Sequence, residues 1–381
     1  MKYFLLFFII SLLSCSKKIS KDPIAIAFEK SKMLNEIAHN PAHEVQIIFT
    51  DIVRNGDSVF FIDYNFQLDD DNYFYPASTV KFPAAILALE KLKELNDKGI
   101  QINKETPFEI AGDTFPSSIA SNIAEIFAIS DNNAYNHLYE FLGRDVMNKK
   151  MKEKGLNLFQ ISHRLSTPDS ANDTLKSIRF GFKDKVKYLQ PSTVDKPIET
   201  LHLRNLKKGI GYYKSDSLVK SPFDFSLKNY YPLSTAHQTL KRLFFPNNYP
   251  INQQFNLNPA DREFLIETMA LLPRESRYTK YDTREFYDSY VKFFIFGDSK
   301  KTIPNFIKIY NKVGDAYGYL TDVAYVIDSK NKIEFLLSAT IHVNKNQIFN
   351  DDNYEYKTVG FPFLAELGRQ LYQFKLKTSK N

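Results

Sequence analysis

The stretch from Tyr75 to Leu92, YPASTVKFPAAILALEKL, constrains the fold more than any other part of this chain. Val80, Ala84, Ile86, Leu87 and Leu89 supply a largely apolar helix that has to be buried. Pro83 is tolerated only in a first turn, where no N–H partner is lost, so the spacing predicts a helix starting at Ser78. Lys81 follows one turn later on the same face, where the two side chains can touch. A serine hydroxyl is a weak nucleophile until a base takes its proton, and a lysine held neutral by its surroundings can do that. Free N–H groups at the helix start favour negative charge developing there. The spacing alone is a weak signal, because Ser14/Lys17, Ser217/Lys220, Ser289/Lys292 and Ser329/Lys332 repeat it. The frame P-A-S-x-x-K-x-P opening an apolar helix sets Ser78 and Lys81 apart.

Met1 to Ser14 reads as a processing segment. Lys2 forms a short positive region, and the apolar run Phe4–Leu13 is too short to span a bilayer. It ends in Leu-Leu-Ser-Cys, which resembles a bacterial lipoprotein signal. That resemblance implies a signal peptide over 1–15, lipidation at Cys15, a polar tether over 16–23 and a lipid-anchored place in the cell envelope, periplasmic or at the outer membrane. Cys15 is the only cysteine of 381 residues, so no intrachain disulfide is possible. A hydrophobic share of 43% is ample for one buried core over 24–375, expected as a monomer. The formal charge of +6 is modest and spread along the chain; with export, it argues against a nucleic-acid partner. His39, His43 and Glu44 superficially suggest a metal site, but Pro41 interrupts a continuous helix there, and neither metal nor cofactor is expected.

Apolar spacing predicts a first helix over Pro23–His39 and strands over Val45–Val53 and Ser58–Tyr64, joined by Asn55-Gly56-Asp57 as a hairpin. A helix over Ile119–Ile129 ends at Ser130-Asp131-Asn132, a natural turn and N-cap, and resumes over Asn133–Leu142. Near the other end, Ile303–Lys312 reads as a strand running into Lys312-Val313-Gly314-Asp315. Val323–Ile327 and Ile333–Ile341 complete a meander, and Val359–Phe374 closes the chain as an amphipathic helix.

Ser78-x-x-Lys81, Ser130-Asp131-Asn132 and Lys312-x-Gly314, in that order, resemble the signature of class A serine β-lactamases and penicillin-binding proteins. The resemblance covers roughly Asp51 to Gly368. It implies an α+β fold: an antiparallel sheet flanked by helices (24–75 and 234–375), a mostly helical half (76–233), and an active site in the cleft between them. Residues 173–231 exceed what the family needs and read as an insertion near the cleft mouth. The resemblance also implies roles. Ser78 is the acylated nucleophile, Lys81 its base, and Ser130 relays a proton to the leaving group. Asn132 holds the substrate amide, while Lys312 supports Ser130 and attracts a carboxylate. Gly314 and Asp315 line the substrate side, and the Ser78 and Asp315 N–H groups form an oxyanion hole whose donors are worth about 3 kcal/mol each. The implied activity is hydrolysis of a β-lactam or related amide or ester. The alternatives are a peptidoglycan D,D-peptidase and a non-catalytic envelope-binding lipoprotein; intact Ser78, Lys81 and Ser130 disfavour the latter.

Two departures from the family pattern matter. Val313 replaces a hydroxyl residue, and strand alternation predicts that Val313 and Asp315 share the cleft face, hostile to a substrate carboxylate. After Arg164-Leu165, the loop Ser166-Thr-Pro-Asp-Ser-Ala-Asn-Asp has no glutamate; Asp169 takes the deacylating position, one methylene short. Misplacement by about 1 Å can cost roughly a hundredfold.

Overall fold

Gly56, at φ 57°, lets Asn55 pair with Ser58, which folds β1 (Gln46–Asn55) onto β2 (Ser58–Phe66). This is the hairpin that Asn-Gly announced. The computed structural model describes residues 22–113, 116–182 and 185–378; the 1–15 segment with Cys15 and most of the 16–23 tether lie outside them. At the other end of the chain β3 (Ile307–Ala316) pairs antiparallel with β4 (Tyr319–Asp328), and β4 with β5 (Ile333–His342). Asp328 turns β4 into β5 by accepting the N–H groups of Lys330 at 2.8 Å and Asn331 at 2.9 Å. The five strands form one sheet, ordered β3-β4-β5-β1-β2.

β3 starts at Ile307 rather than Ile303, because Pro304 cannot donate to a ladder and its carbonyl caps a turn with Ile307 N at 2.9 Å. It then runs straight through the Lys312–Asp315 motif. One sheet face carries Ile47, Phe49, Leu337, Ala339 and Ile341 onto α1 (Pro23–Lys30), α2 (Lys32–Ala38) and α9 (Phe361–Thr378). The expected single helix over 23–39 breaks at Ser31, whose extended backbone and Oγ, accepting from Leu34 N at 3.4 Å, cap a new helix.

The other face meets the helical half. A short 3₁₀ turn, Ala77–Val80, precedes α3 (Lys81–Asp97), where Phe82 through Leu89 are all buried, as befits a central helix apolar all round. α4 (Ile119–Ile129), α5 (Asn132–Leu142) and α6 (Arg144–Glu153) surround it. Between α6 and α7 (Leu233–Phe244) the described residues of this half form short strands rather than helices. Phe108–Ile110 pairs with Ile178–Phe182, which pairs with Lys185–Gln190; Gly211–Lys214 pairs with Ser217–Val219 and with Ile348–Phe349. Strands of two to six residues are too short to register as a period. α8 (Pro259–Met269) starts at Asn258, whose side chain accepts from Asp261 N at 2.8 Å.

Candidate active site

The 3₁₀ turn that carries Ser78 is held from two sides. Thr79 donates both its N–H, at 3.1 Å, and its hydroxyl, at 2.7 Å, to Pro76 O, and Ala77 takes a left-handed φ of 47°. From the sheet, β3 presses Gly314 against the turn. A Cβ on Gly314 would stand 2.6 Å from Pro76 O and 2.9 Å from Ser78 N, so only glycine fits. This contact sets the Ser78 amide beside the β3 backbone. Ser78 itself is half-buried.

Lys81 is fully buried, and its Nζ donates to Ser130 O at 2.5 Å, to Ser130 Oγ at 3.4 Å and to Asn132 Oδ1 at 2.7 Å. No hydrogen bond among the described residues joins Lys81 to Ser78. Lys312, equally buried, reaches across from β3 and donates to Ser130 Oγ at 2.7 Å and to Val313 O at 2.8 Å. Ser130 ends α4 at φ 62°, and Asp131 then caps α5 through Ala134 N at 2.7 Å, so the helix–helix corner aims Ser130 and Asn132 at the two amines. Burial pushes the Lys81 amine down to about 7, against the upward pull of Asp131 and Asp315. Lys312 is also held well below the usual lysine range, by burial first and by the Lys81 charge second. An amine kept near neutrality beside a serine turn has the chemistry of a general base.

The structure brings Ser78, Lys81, Ser130, Asn132, Lys312, Gly314 and Asp315 to one place, at the edge of β3. It does not bring Asp169 there. That carboxylate is exposed and accepts from Thr167 Oγ1 at 2.7 Å, which holds its pKa below the usual range. The loop residue at the site is Ser166, whose Oγ accepts from Asn132 Nδ2 at 3.0 Å. The sequence reading missed Ser166 and the anchors of its loop. Asn136 clasps Leu165 through both its amide atoms at 2.9 Å, and Arg164 binds Glu140 at 2.6 Å and the carbonyls of Asn172 and Thr174. Asn132, Asn136 and Glu140 recur every four residues along α5, and that polar stripe was the available signal.

The pairing of Val313 with Asp315 on the cleft face needs correction. Val313 is 1% exposed and lies in the core between the sheet and α1, α2 and α9. Asp315, one step beyond that core, is open to solvent although ringed by protein atoms; that crowding raises its pKa, against the lowering pull of Lys312 and Lys81. Below Val313, Asn311 accepts from Lys292 Nζ at 2.7 Å and donates to Asp322 at 2.8 Å, a buried bracket that fixes β3 from behind. Lys292 is thereby committed to structure, as is Ser289, which donates to Ser299 O.

Residues 30–206 match the sequence model of the beta-lactamase enzyme family. Among solved structures, a beta-lactamase from Burkholderia ambifaria aligns with TM-score 0.51 at 13% identity, covering 91% of this chain and 98% of that one. The match over residues 30–206 supports a β-lactamase-like family for the chain, and the structural alignments show that it shares the fold. A beta-lactamase from Xanthomonas campestris pv. campestris aligns with TM-score 0.50 at 14% identity over 91% of this chain and 98% of that one. One from Desulfarculus baarsii gives TM-score 0.50 at 14% over 93% and 98%. At such identities these likenesses speak for the family fold, the α+β arrangement expected from the sequence. No curated protein sequence matches significantly. Lys312 and Gly314 lie beyond the matched segment, so the third family motif rests here on its geometry.

Proposed function

We propose that the chain is a serine hydrolase that forms an acyl-enzyme at Ser78 with a β-lactam or a related amide or ester. The convergence of two buried lysines on Ser130, beside the turn that presents Ser78, carries this reading. Neutral Lys81 takes the Ser78 proton as Oγ attacks the carbonyl carbon. The tetrahedral oxyanion is held by the N–H groups of Ser78 and Asp315, and Ser130 delivers a proton to the departing nitrogen as the C–N bond breaks. Lys312 positions the Ser130 hydroxyl and makes up in charge for the proton it gives.

Release of the acyl group by water needs a base near Asn132 and Lys81, and Ser166 supplies no carboxylate there. That observation favours a second reading within the same chemistry, a peptidoglycan D,D-peptidase that β-lactams acylate and leave slowly. Incubation with a fluorescent penicillin, followed by intact-mass spectrometry over time, tests both. Persistent labelling at Ser78 supports the peptidase, and transient labelling the lactamase. Labelling that survives Ser78→Ala, or none by any lactam or fluorophosphonate, overturns the acyl-enzyme assignment.

A further inference from the structure

β2 is an edge of the main sheet: among the described residues it pairs with β1 and with no other strand. Its hairpin closes over two residues, so Asn55 and Ser58 exchange both backbone bonds, and bonded and non-bonded pairs alternate from there. Ser58, Phe60 and Ile62 therefore bond inward to β1, while Val59, Phe61, Asp63 and Asn65 turn their N–H and C=O groups outward. The carbonyl of Val59 confirms this phase, since it accepts Asn248 Nδ2 from outside the sheet at 2.7 Å. Among the described residues no such partner reaches the outward groups of Phe61, Asp63 or Asn65.

An open strand edge is normally guarded by lysine, proline or a bulge. β2, Ser-Val-Phe-Phe-Ile-Asp-Tyr-Asn-Phe, has none of these, and its pairing with β1 is unbroken. The opposite edge, β3, carries Lys308 and Lys312 and leans on the Ser78 turn. On the face that α9 reaches through Phe374 and Lys375, Phe60 and Ile62 stay 55% and 45% exposed, with exposed Val53 opposite Phe60. The charges along this apolar strip are closed within the chain: Asp51 holds Lys375, Arg54 holds Glu334, and Asp63 accepts from Lys241 Nζ at 2.6 Å. The strip therefore offers little to a charged partner and meets a copy of itself without repulsion. Two edge strands related by a two-fold axis run antiparallel, so the strip is complementary to itself. With Phe61 opposite its own copy, Phe60 faces Ile62 of the second strand and Ile62 faces its Phe60. That register covers all four exposed side chains together and keeps the two Asp63 side chains apart, each opposite a Val59.

We propose that β2 joins β2 of a second copy of this chain across a two-fold axis, running the two sheets into one. This pairing stands in place of the single copy expected from the sequence and does not depend on the chemistry at Ser78. Sedimentation equilibrium of the full chain in density-matched detergent should show a reversible monomer–dimer equilibrium. Phe60→Lys and Ile62→Lys, both at exposed positions, should each raise its dissociation constant by about tenfold or more. Val194→Lys, at an exposed apolar position on the helical half, should leave it unchanged. Hydrogen exchange adds a reading that needs no variant: the Phe61 amide should be slow in the dimer and fast on dilution to monomer. A single monomer mass at every concentration would overturn the proposal. So would a dimer that survives both lysine variants, one lost equally in Val194→Lys, or fast exchange at Phe61 within the dimer.

Discussion

Asn132 Nδ2 donates to Ser166 Oγ across 3.0 Å, so the loop that begins at Arg164 closes on the site with a hydroxyl and not with a carboxylate. A hydroxyl cannot hold a proton taken from water, so on the proposed acyl-enzyme route deacylation should be the slow half. Ser166→Glu should shorten the acyl-enzyme lifetime by about tenfold or more, after a strain cost of roughly 1 kcal/mol for the left-handed backbone there. Asp169→Glu should leave the lifetime within about twofold, because that side chain is turned to Thr167. Decay of the adduct mass after removal of free lactam measures both; an effect of Asp169→Glu alone would reverse the assignment.

Lys81 sets a second expectation, in pH. Its amine is pushed down to about 7 by burial, so it is neutral above that value and charged below it. The acylation rate should rise as pH passes through about 7 and then level. Lys81→Arg keeps a charge at every pH and should acylate slower by about 10²–10⁴-fold. The sign for stability follows from the same shift. Between pH 7 and the unfolded lysine value the unfolded chain binds the extra proton, so stability should rise with pH across that window. Stopped-flow labelling and urea midpoints at pH 6, 7.5 and 9 read the two effects; a flat rate profile would remove Lys81 as the base.

Val313 and Asp315 separate cleanly. Val313→Thr places a hydroxyl in an apolar core and should cost about 1–3 kcal/mol of stability without speeding acylation. Asp315→Asn removes a charge that faces solvent near Lys312, and should speed acylation by an anionic lactam by about tenfold. Thermal denaturation and stopped-flow rates distinguish the pair. Faster acylation by Val313→Thr would show that this strand turns its other face to the substrate.

Cys15→Ala should move the protein from the membrane fraction to a soluble or unprocessed pool. The expectation rests on the short apolar run ending in Leu-Leu-Ser-Cys. Unchanged membrane association, with no acyl mass on the native N-terminus, would end it.

Much of this fold is legible in the chain. The Asn55–Asp57 hairpin, the turn after Asp328 and the corner at Ser130-Asp131-Asn132 each rest on a local side chain or a glycine, and each lies where its residues indicate. The apolar frame of α3 likewise gives away a helix buried from Lys81 to Glu90. What escaped depends on distant partners. Nothing near Val313 reveals that α1, α2 and α9 cover its face, and strand alternation is silent on where a core ends. Ser166 looks like any loop serine until Asn132 and Asn136 are seen to grip its neighbourhood. The short strands between residues 174 and 224 owe their existence to partners such as Phe108–Ile110 and Ile348–Phe349, dozens of residues of sequence away in the first case and more than a hundred in the second.

The order of the sheet has a consequence in time. β1 emerges early in synthesis, yet its inner neighbour is β5, with Gln46 opposite Thr340. Lys312 and Gly314 are tied to that strand only through β4 and β5. Until the last strand has been made and has slotted in beside β1, the N-terminal hairpin has a bare edge and the Ser78 turn has nothing to lean on. Such non-local closure is slow and leaves apolar edges open while it waits. A nascent chain of this kind therefore carries no assembled Ser78 turn through its synthesis, and its most vulnerable interval is the one just before the final helix is released.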